Sequence, residues 1–248
     1  MKQLLGATIH RHVPSIFKWL GLGHANFLGM DHHSWVPLVM AWTVGVTLIG
    51  VSYLFTRKLK TVPGFAQGVA EMTVLAIYDF FESVLGEHTD RYIPLLGSMF
   101  LYILFMNYWP LIPGMHAATV TLSTTLALAL VTFGVVQYEG IRQHGFVNYI
   151  RHFFEPIYLA PIMFIIHVVE EIVRPLSLAT RLFGNILGED TLIAAIISLM
   201  VMSGAYVVPA QFPLYFLTLL AGLIQAAIFT ILSAVYIAQA VGALDEDH

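Results

Sequence analysis

The sequence predicts an all-α integral membrane protein: about five transmembrane helices plus an amphipathic membrane-surface helix. Three observations carry that prediction. Of the 248 residues, 58% are hydrophobic and only 10% are charged, against about a quarter charged in soluble domains. Several apolar windows reach the roughly 20 residues of helix that a bilayer core of about 30 Å requires. Basic residues fall in some of the intervening loops and avoid others, as they do where loops alternate between the two sides of a membrane.

The same composition excludes other classes. There is no cysteine, which removes disulfides, Cys-ligated zinc, iron–sulfur clusters and thiol catalysis. The net charge is −4 and no basic patch with interleaved aromatics occurs, so no nucleic-acid partner is expected. The opening MKQLLGATIHRHVPSIFKWLGLG has no apolar stretch long enough for a signal-peptide core and reads as mature sequence.

A single membrane domain over 1–248 is expected, with 1–35 as an external N-terminal segment. Span 1 covers 36–55 and is followed by Arg57, Lys58 and Lys60, which marks its end as cytoplasmic. In 65–88, Glu71, Asp79 and Glu82 share one helical stripe while Val69, Met72, Leu75, Ala76, Phe80 and Leu85 fill much of the rest. That amphipathic pattern predicts a helix lying along the cytoplasmic face or packed on a partner helix. Span 2 is 93–112, preceded by Arg91; span 3 is 118–138, followed by Arg142 and Arg151. Spans 4 (157–202) and 5 (206–240) exceed one perpendicular crossing. They must therefore tilt, break at Pro161, Pro175 or Pro209, or extend beyond the bilayer. The loops near 112–117 and 203–212 hold no Lys or Arg, which places the N-terminus outside and the acidic tail Asp245 to His248 inside. Lys2, Arg11 and Lys18 are a mild counter-signal.

With the loop charges set aside, Arg174 and Arg181 are the remaining basic residues, and span 4 also holds Glu170, Glu171, Glu189 and Asp190. A charge at mid-bilayer costs about 2.5–3.5 kcal/mol on insertion scales, so each needs water, a counter-charge or a partner. Glu170, Arg174, Ser177, Arg181, Asn185 and Gly188 or Glu189 recur every three or four residues and share one helix face. Glu170 and Glu171 stand one turn before Arg174, close enough to neutralise it. Arg181 has no acid within a turn, and Gly184 and Gly188 leave room for another helix to approach.

Plainer readings stand beside these. Glu170–Arg174 also reads as an internal ion pair near the interface, and Glu189 and Asp190 as the watered end of a helix. Arg181 also reads as a snorkelling side chain, against which stand the apolar turns on both sides. A lone Gln225 reads as interhelical glue. His167 is the one histidine inside an apolar span, suited to proton relay with an ordinary pKa near 6.5, or else a hydrogen-bonded packing residue. His10, Arg11, His12 and Asp31, His32, His33 flank span 1 and fit the interface better than a metal site; neither metal nor cofactor is expected.

PLSLATRLFGN, with an acid nine residues after Arg181, resembles the signature of subunit a of the F-type ATP synthases, the static membrane subunit beside the rotating c-ring. FMNYWPLIPG, TVTLSTTLALAL and GLIQAAIFTILSAVYI resemble the family's second-span ending, third span and last span. The RLFGN form is closer to the bacterial and plastid branch. The resemblance implies proton translocation through two offset half-channels meeting near Arg181, the family's essential arginine. It implies that Asn185 matches a polar residue one turn on, and that Gln225 lies opposite the arginine. Asn107, Ser123 and Tyr236 match polar positions of the ion path.

The same resemblance implies a non-catalytic subunit, present in one copy beside c-ring and peripheral-stalk b subunits, in a bacterial plasma or a thylakoid membrane. Three departures qualify it. His167 stands where the family usually has glutamate, with Glu170 and Glu171 one turn on to take over; Asp190, preceded by Glu189, holds the acidic position; and Thr218 stands where relatives carry histidine or glutamate. A secondary ion transporter with a buried Arg/Glu network is the rival reading, but the five unequal spans show no internal repeat. A metalloenzyme would need ligands clustered on facing helices.

Overall fold

A computed structural model describes residues 32–57, 64–112, 115, 118–146, 149, 160–203 and 211–242. Its long helices are α1 (His32–Thr56), α2 (Phe65–Leu85), α3 (Thr89–Tyr108), α4 (Leu122–His144), α5 (Ala160–Ser203) and α6 (Gln211–Val241). Short 3-10 turns occupy Gly86–His88, Trp109–Leu111 and Ala118–Val120, and no strand occurs among the described residues. Lys2, Arg11, Lys18, Lys58, Lys60, Arg151, Pro209, the N-terminal histidines through Asp31 and the tail Asp245 to His248 lie outside the described residues.

Among the described residues, four stretches are long and apolar enough to cross a membrane: Val36–Thr56, Phe65–Leu111, Leu122–Gln143 and Pro213–Val241. The second of these is not one rod. At Gly86 the backbone takes φ 53°, a left-handed conformation that glycine reaches without a Cβ penalty, and α2 folds back on α3. Ile77 packs against Gly97, where a Cβ would lie 3.4 Å from Ile77 Cγ2, and Tyr78 donates its hydroxyl to Asp90 Oδ1 at 2.8 Å. The face of α2 that packs is Ile77, Phe81 and Leu85. Val69, Met72 and Leu75 point away from the protein instead. The helix has two apolar faces, and its neighbours α3 and α6 cover one.

Three apolar layers hold the bundle. Val36, Met40 and Val44 of α1 meet Met106 of α3 and Ala118. In the middle, Met99 and Ile103 of α3, Ala129 of α4, Leu178, Ala179 and Leu182 of α5 and Ala226 and Phe229 of α6 form one cluster. The third joins α2 to Tyr92 and Leu96 of α3, Val136 of α4 and Ala234, Ile237 and Ala238 of α6. In lipid no hydrophobic transfer separates inward from outward faces, and it is the close packing of these layers that holds the helices together.

The 44 residues of α5 form one continuous helix, about 66 Å long at 1.5 Å per residue. The chain therefore does not break at either of its described prolines. Pro161 sits in the first turn, where no intrahelical N–H bond is lost, and Pro175 removes a single ladder bond in mid-helix. With its six charged residues, α5 is not among the four stretches that are apolar enough to cross by composition alone.

Candidate functional site

Two ends of the bundle differ in chemistry. The basic end carries Arg91, at the start of α3, and Arg142, near the end of α4; the opposite end carries Asn107 of α3 and Thr218 of α6. Along α5, Arg174 belongs to the basic end, Glu189 to the opposite end, and Arg181 stands between them, seven residues from one and eight from the other.

Packing decides where Arg181 points. Leu178, Ala179, Leu182 and Ile186 are buried and turn one side of α5 inward, so that Arg181, Thr180, Gly184, Leu187 and Gly188 remain on the exposed side. Among the described residues Arg181 has no ion pair and no hydrogen bond; the charged contacts of α5 belong to Arg174, Glu170 and Glu171. A Cβ added at Gly184 or Gly188 would meet nothing within 4 Å. The cation thus stands at a notch in the protein surface. Asn185, one turn on, is half-buried.

Arg174 is the opposite case. Its Nη2 donates to Glu170 Oε1 at 2.6 Å, and its Nη1 lies 3.5 Å from Glu171 Oε1. The guanidinium rests over the ring of Tyr236, 5.1 Å from its centroid, a geometry in which the ring's negative face attracts the cation. Glu171 is held in turn: Gln137 Nε2 donates to its Oε2 at 2.6 Å, and Tyr149 donates its hydroxyl to Gln137 Oε1 at 2.6 Å. A cavity of about 10 Å³ lies beside Glu171, Arg174, Thr132 and Tyr236, room for about one water molecule.

At the opposite end the polar groups are buried but unmet. Asn107 is 2% exposed; its Nδ2 donates to Gly222 O at 3.1 Å, and its Oδ1 has no partner. Gly222 permits this approach, since a Cβ there would lie 3.2 Å from Asn107 Cβ and 3.0 Å from Tyr108 Cε1. Thr218 and Gln225 flank Gly222 by one turn each way. Thr218 Oγ1, Gln225 Nε2 and Glu189 Oε1 are likewise without partners among the described residues. Leaving such an atom buried and unmet costs about 1–3 kcal/mol. Asp190 and Ser123 are exposed and His167 is half-buried. No cluster of three metal-ligating side chains occurs among the described residues.

Two groupings escape the sequence. Arg91 Nη2 meets both carboxylate oxygens of Glu139, at 2.8 and 2.6 Å, Tyr92 donates to the same carboxylate at 3.0 Å, and Arg142 lies 4.0 Å away. Gln137 and Tyr149 are the other missed pair. Arg91 and Tyr92 stand 48 and 47 residues from Glu139, and Gln137 stands 34 from Glu171, so no local spacing announces these bonds; only Arg142, three residues after Glu139, is a helical neighbour.

A family profile described as ATP synthase A chain matches residues 38–238. The chain is 42% identical over 219 residues to ATP synthase subunit a of Moorella thermoacetica, covering 87% of this chain and 96% of that one. It is 36% identical over 242 residues to ATP synthase subunit a 1 of Syntrophotalea carbinolica, covering 95% and 99%. To ATP synthase subunit a of Trichlorobacter lovleyi it is 37% identical over 237 residues, again covering 95% and 99%.

Proposed function

Because this chain belongs to the ATP synthase A chain family, we propose that it passes protons through two offset half-channels at the face of a rotating c-ring. Proton flow would thereby be coupled to ATP synthesis or hydrolysis carried out elsewhere in the complex. The observation that carries this reading is Arg181: an exposed guanidinium without a counter-charge among the described residues, on the side of α5 that carries Gly184 and Gly188.

An arginine stays protonated under any condition a membrane meets, its pKa being above 12. Arg181 is therefore a fixed positive wall that does not itself conduct. A carboxyl carried past it on the ring is favoured in its ionised form, its pKa lowered by roughly 1–3 units, and releases its proton into one half-channel. Past the arginine it is reprotonated from the other. A direct leak between the channels is blocked by the same charge. Each elementary charge crossing 100 mV releases about 2.3 kcal/mol, so several crossings drive one ATP.

The unmet polar atoms of Asn107, Thr218, Gln225 and Glu189 support a hydrated path at the opposite end. The network around Glu171 and Arg174, with its cavity, supports a second path at the basic end. Basic loops mark the cytoplasmic side, which supports an N-terminus outside and a tail inside; the bacterial relatives support a bacterial plasma membrane, with c-ring and peripheral-stalk b subunits as the partners proposed. The test is Arg181→Ala in the whole complex. ATP-driven acidification of inverted vesicles should vanish while the subunit stays assembled; normal pumping contradicts the proposal. In liposomes the chain alone should conduct nothing.

A further inference from the structure

Thr119 has no role in the reading above, yet it is a buried polar residue that asks for one. It sits in the 3-10 turn Ala118–Val120 and is 0% exposed, and its Oγ1 has no hydrogen-bond partner among the described residues. Thr125 and Thr230, inside helices, satisfy their hydroxyls on carbonyls of the preceding turn; Thr119, in a turn ahead of a helix, has no such ladder behind it.

Its position follows from the register of the helices. Gln137 bonds Glu171, and Ala129 shares a cluster with Ala179, so α4 and α5 run antiparallel, one residue up for each residue down. Fifteen residues from the Gln137–Glu171 bond, the first residue of α4, Leu122, comes level with Ile186, so the turn that precedes it stands beyond Ile186, on the Glu189 side. The turn itself packs on α5. Ala118 shares its apolar layer with Met106, the neighbour of Asn107. Four partnerless oxygens, of Asn107, Thr119, Glu189 and Thr218, therefore belong to the same end of the bundle, on the far side of Arg181 from Arg174.

We infer that Thr119 is a further path-lining residue. Its hydroxyl hydrogen-bonds the water that brings protons to the Glu189 carboxylate and so positions that water. This rests on the proposed ion path, and it adds a residue whose hydroxyl, not its volume, matters. Valine has nearly the same shape as threonine and no hydroxyl. Removing a buried polar atom that meets nothing leaves stability unchanged or raises it, so a purely structural Thr119 predicts a Thr119→Val complex as stable as the native one and equally fast.

The experiment compares Thr119→Val with Thr119→Ser in the whole complex, reading ATP-driven acidification per assembled subunit together with the thermal stability of the assembly. The inference expects pumping slowed several-fold in the valine variant, with stability kept, and native rates in the serine variant. Native rates in both overturn it, and so do equal losses in both. Should the valine variant assemble poorly, Thr119→Cys, of similar volume and with a poor hydrogen-bonding group, replaces it under the same criteria. Arg181→Ala in the same vesicles keeps the two questions apart, because its normal pumping sinks the ion-path reading, while a fast valine variant beside a dead Arg181→Ala sinks only the role of Thr119.

Discussion

Arg174 and Arg181 lie on one stripe of one helix, seven residues apart, and their surroundings differ in every respect. Arg174 is 22% exposed in its side chain, meets two carboxylates and covers an aromatic ring. Arg181 is exposed and meets none of these. The contrast extends to the polar groups around them. Near Arg174 each acid has a donor, and Glu171 is held by Gln137, itself held by Tyr149. On the other side of Arg181, Asn107, Glu189, Thr218 and Gln225 keep atoms without partners among the described residues. A half-buried cation finished within its own chain is a structural element, whereas a cation left open, beside polar atoms left open, is prepared to meet something that arrives.

The largest effect that sharpens this comparison is expected from Arg181→Ala: complete loss of ATP-driven pumping in an assembled complex. Arg174→Ala should be milder, slowing pumping without abolishing it, because that charge is already neutralised by Glu170 and Glu171. Equal losses from the two variants, measured in the same vesicles, would break the distinction.

Smaller effects are expected from the lock on Glu171. Gln137→Leu removes a donor to a carboxylate, a bond of the charged class worth about 1.5–3 kcal/mol, and should lower the thermal stability of the assembled subunit. Tyr149→Phe should cost less, about 1 kcal/mol. Because Tyr149 and Gln137 share a hydrogen bond, the double variant should lose less than the sum of the two single losses. Full additivity, read from the midpoints of thermal dissociation, would show that the two side chains are independent. The smallest structural effect is that of Thr119→Val, neutral or stabilising in the same assay.

What was legible in the sequence is what a helix writes locally. Six-residue charge patterns at spacings of three and four placed Glu170, Glu171 and Arg174 in contact and left Arg181 alone, because one element sets those distances. The apolar windows foretold a helical membrane protein for the same reason. The bond from Asn107 to Gly222 joins residues 115 apart, and Arg91 with Glu139 spans 48; such pairs are chosen by how helices dock. Amphipathicity likewise announced α2 without saying which of its two apolar faces packs. Ile77, Phe81 and Leu85 are selected by the turn at Gly86, which lays that side on α3. The unmet atoms of Thr119 and Thr218 are invisible from sequence altogether, since a threonine in an apolar run ordinarily bonds its own helix.

The account depends on Arg181 facing a moving neighbour. The chain has no cysteine, so a single introduced cysteine reports one position without background. Gly184→Cys and Gly188→Cys, on the open side of α5, should each form a disulfide with a cysteine placed beside the carboxylate of a c-ring subunit, and Leu182→Cys, buried on the packed side, should not. Cross-linking from Leu182 with none from either glycine position would contradict the account.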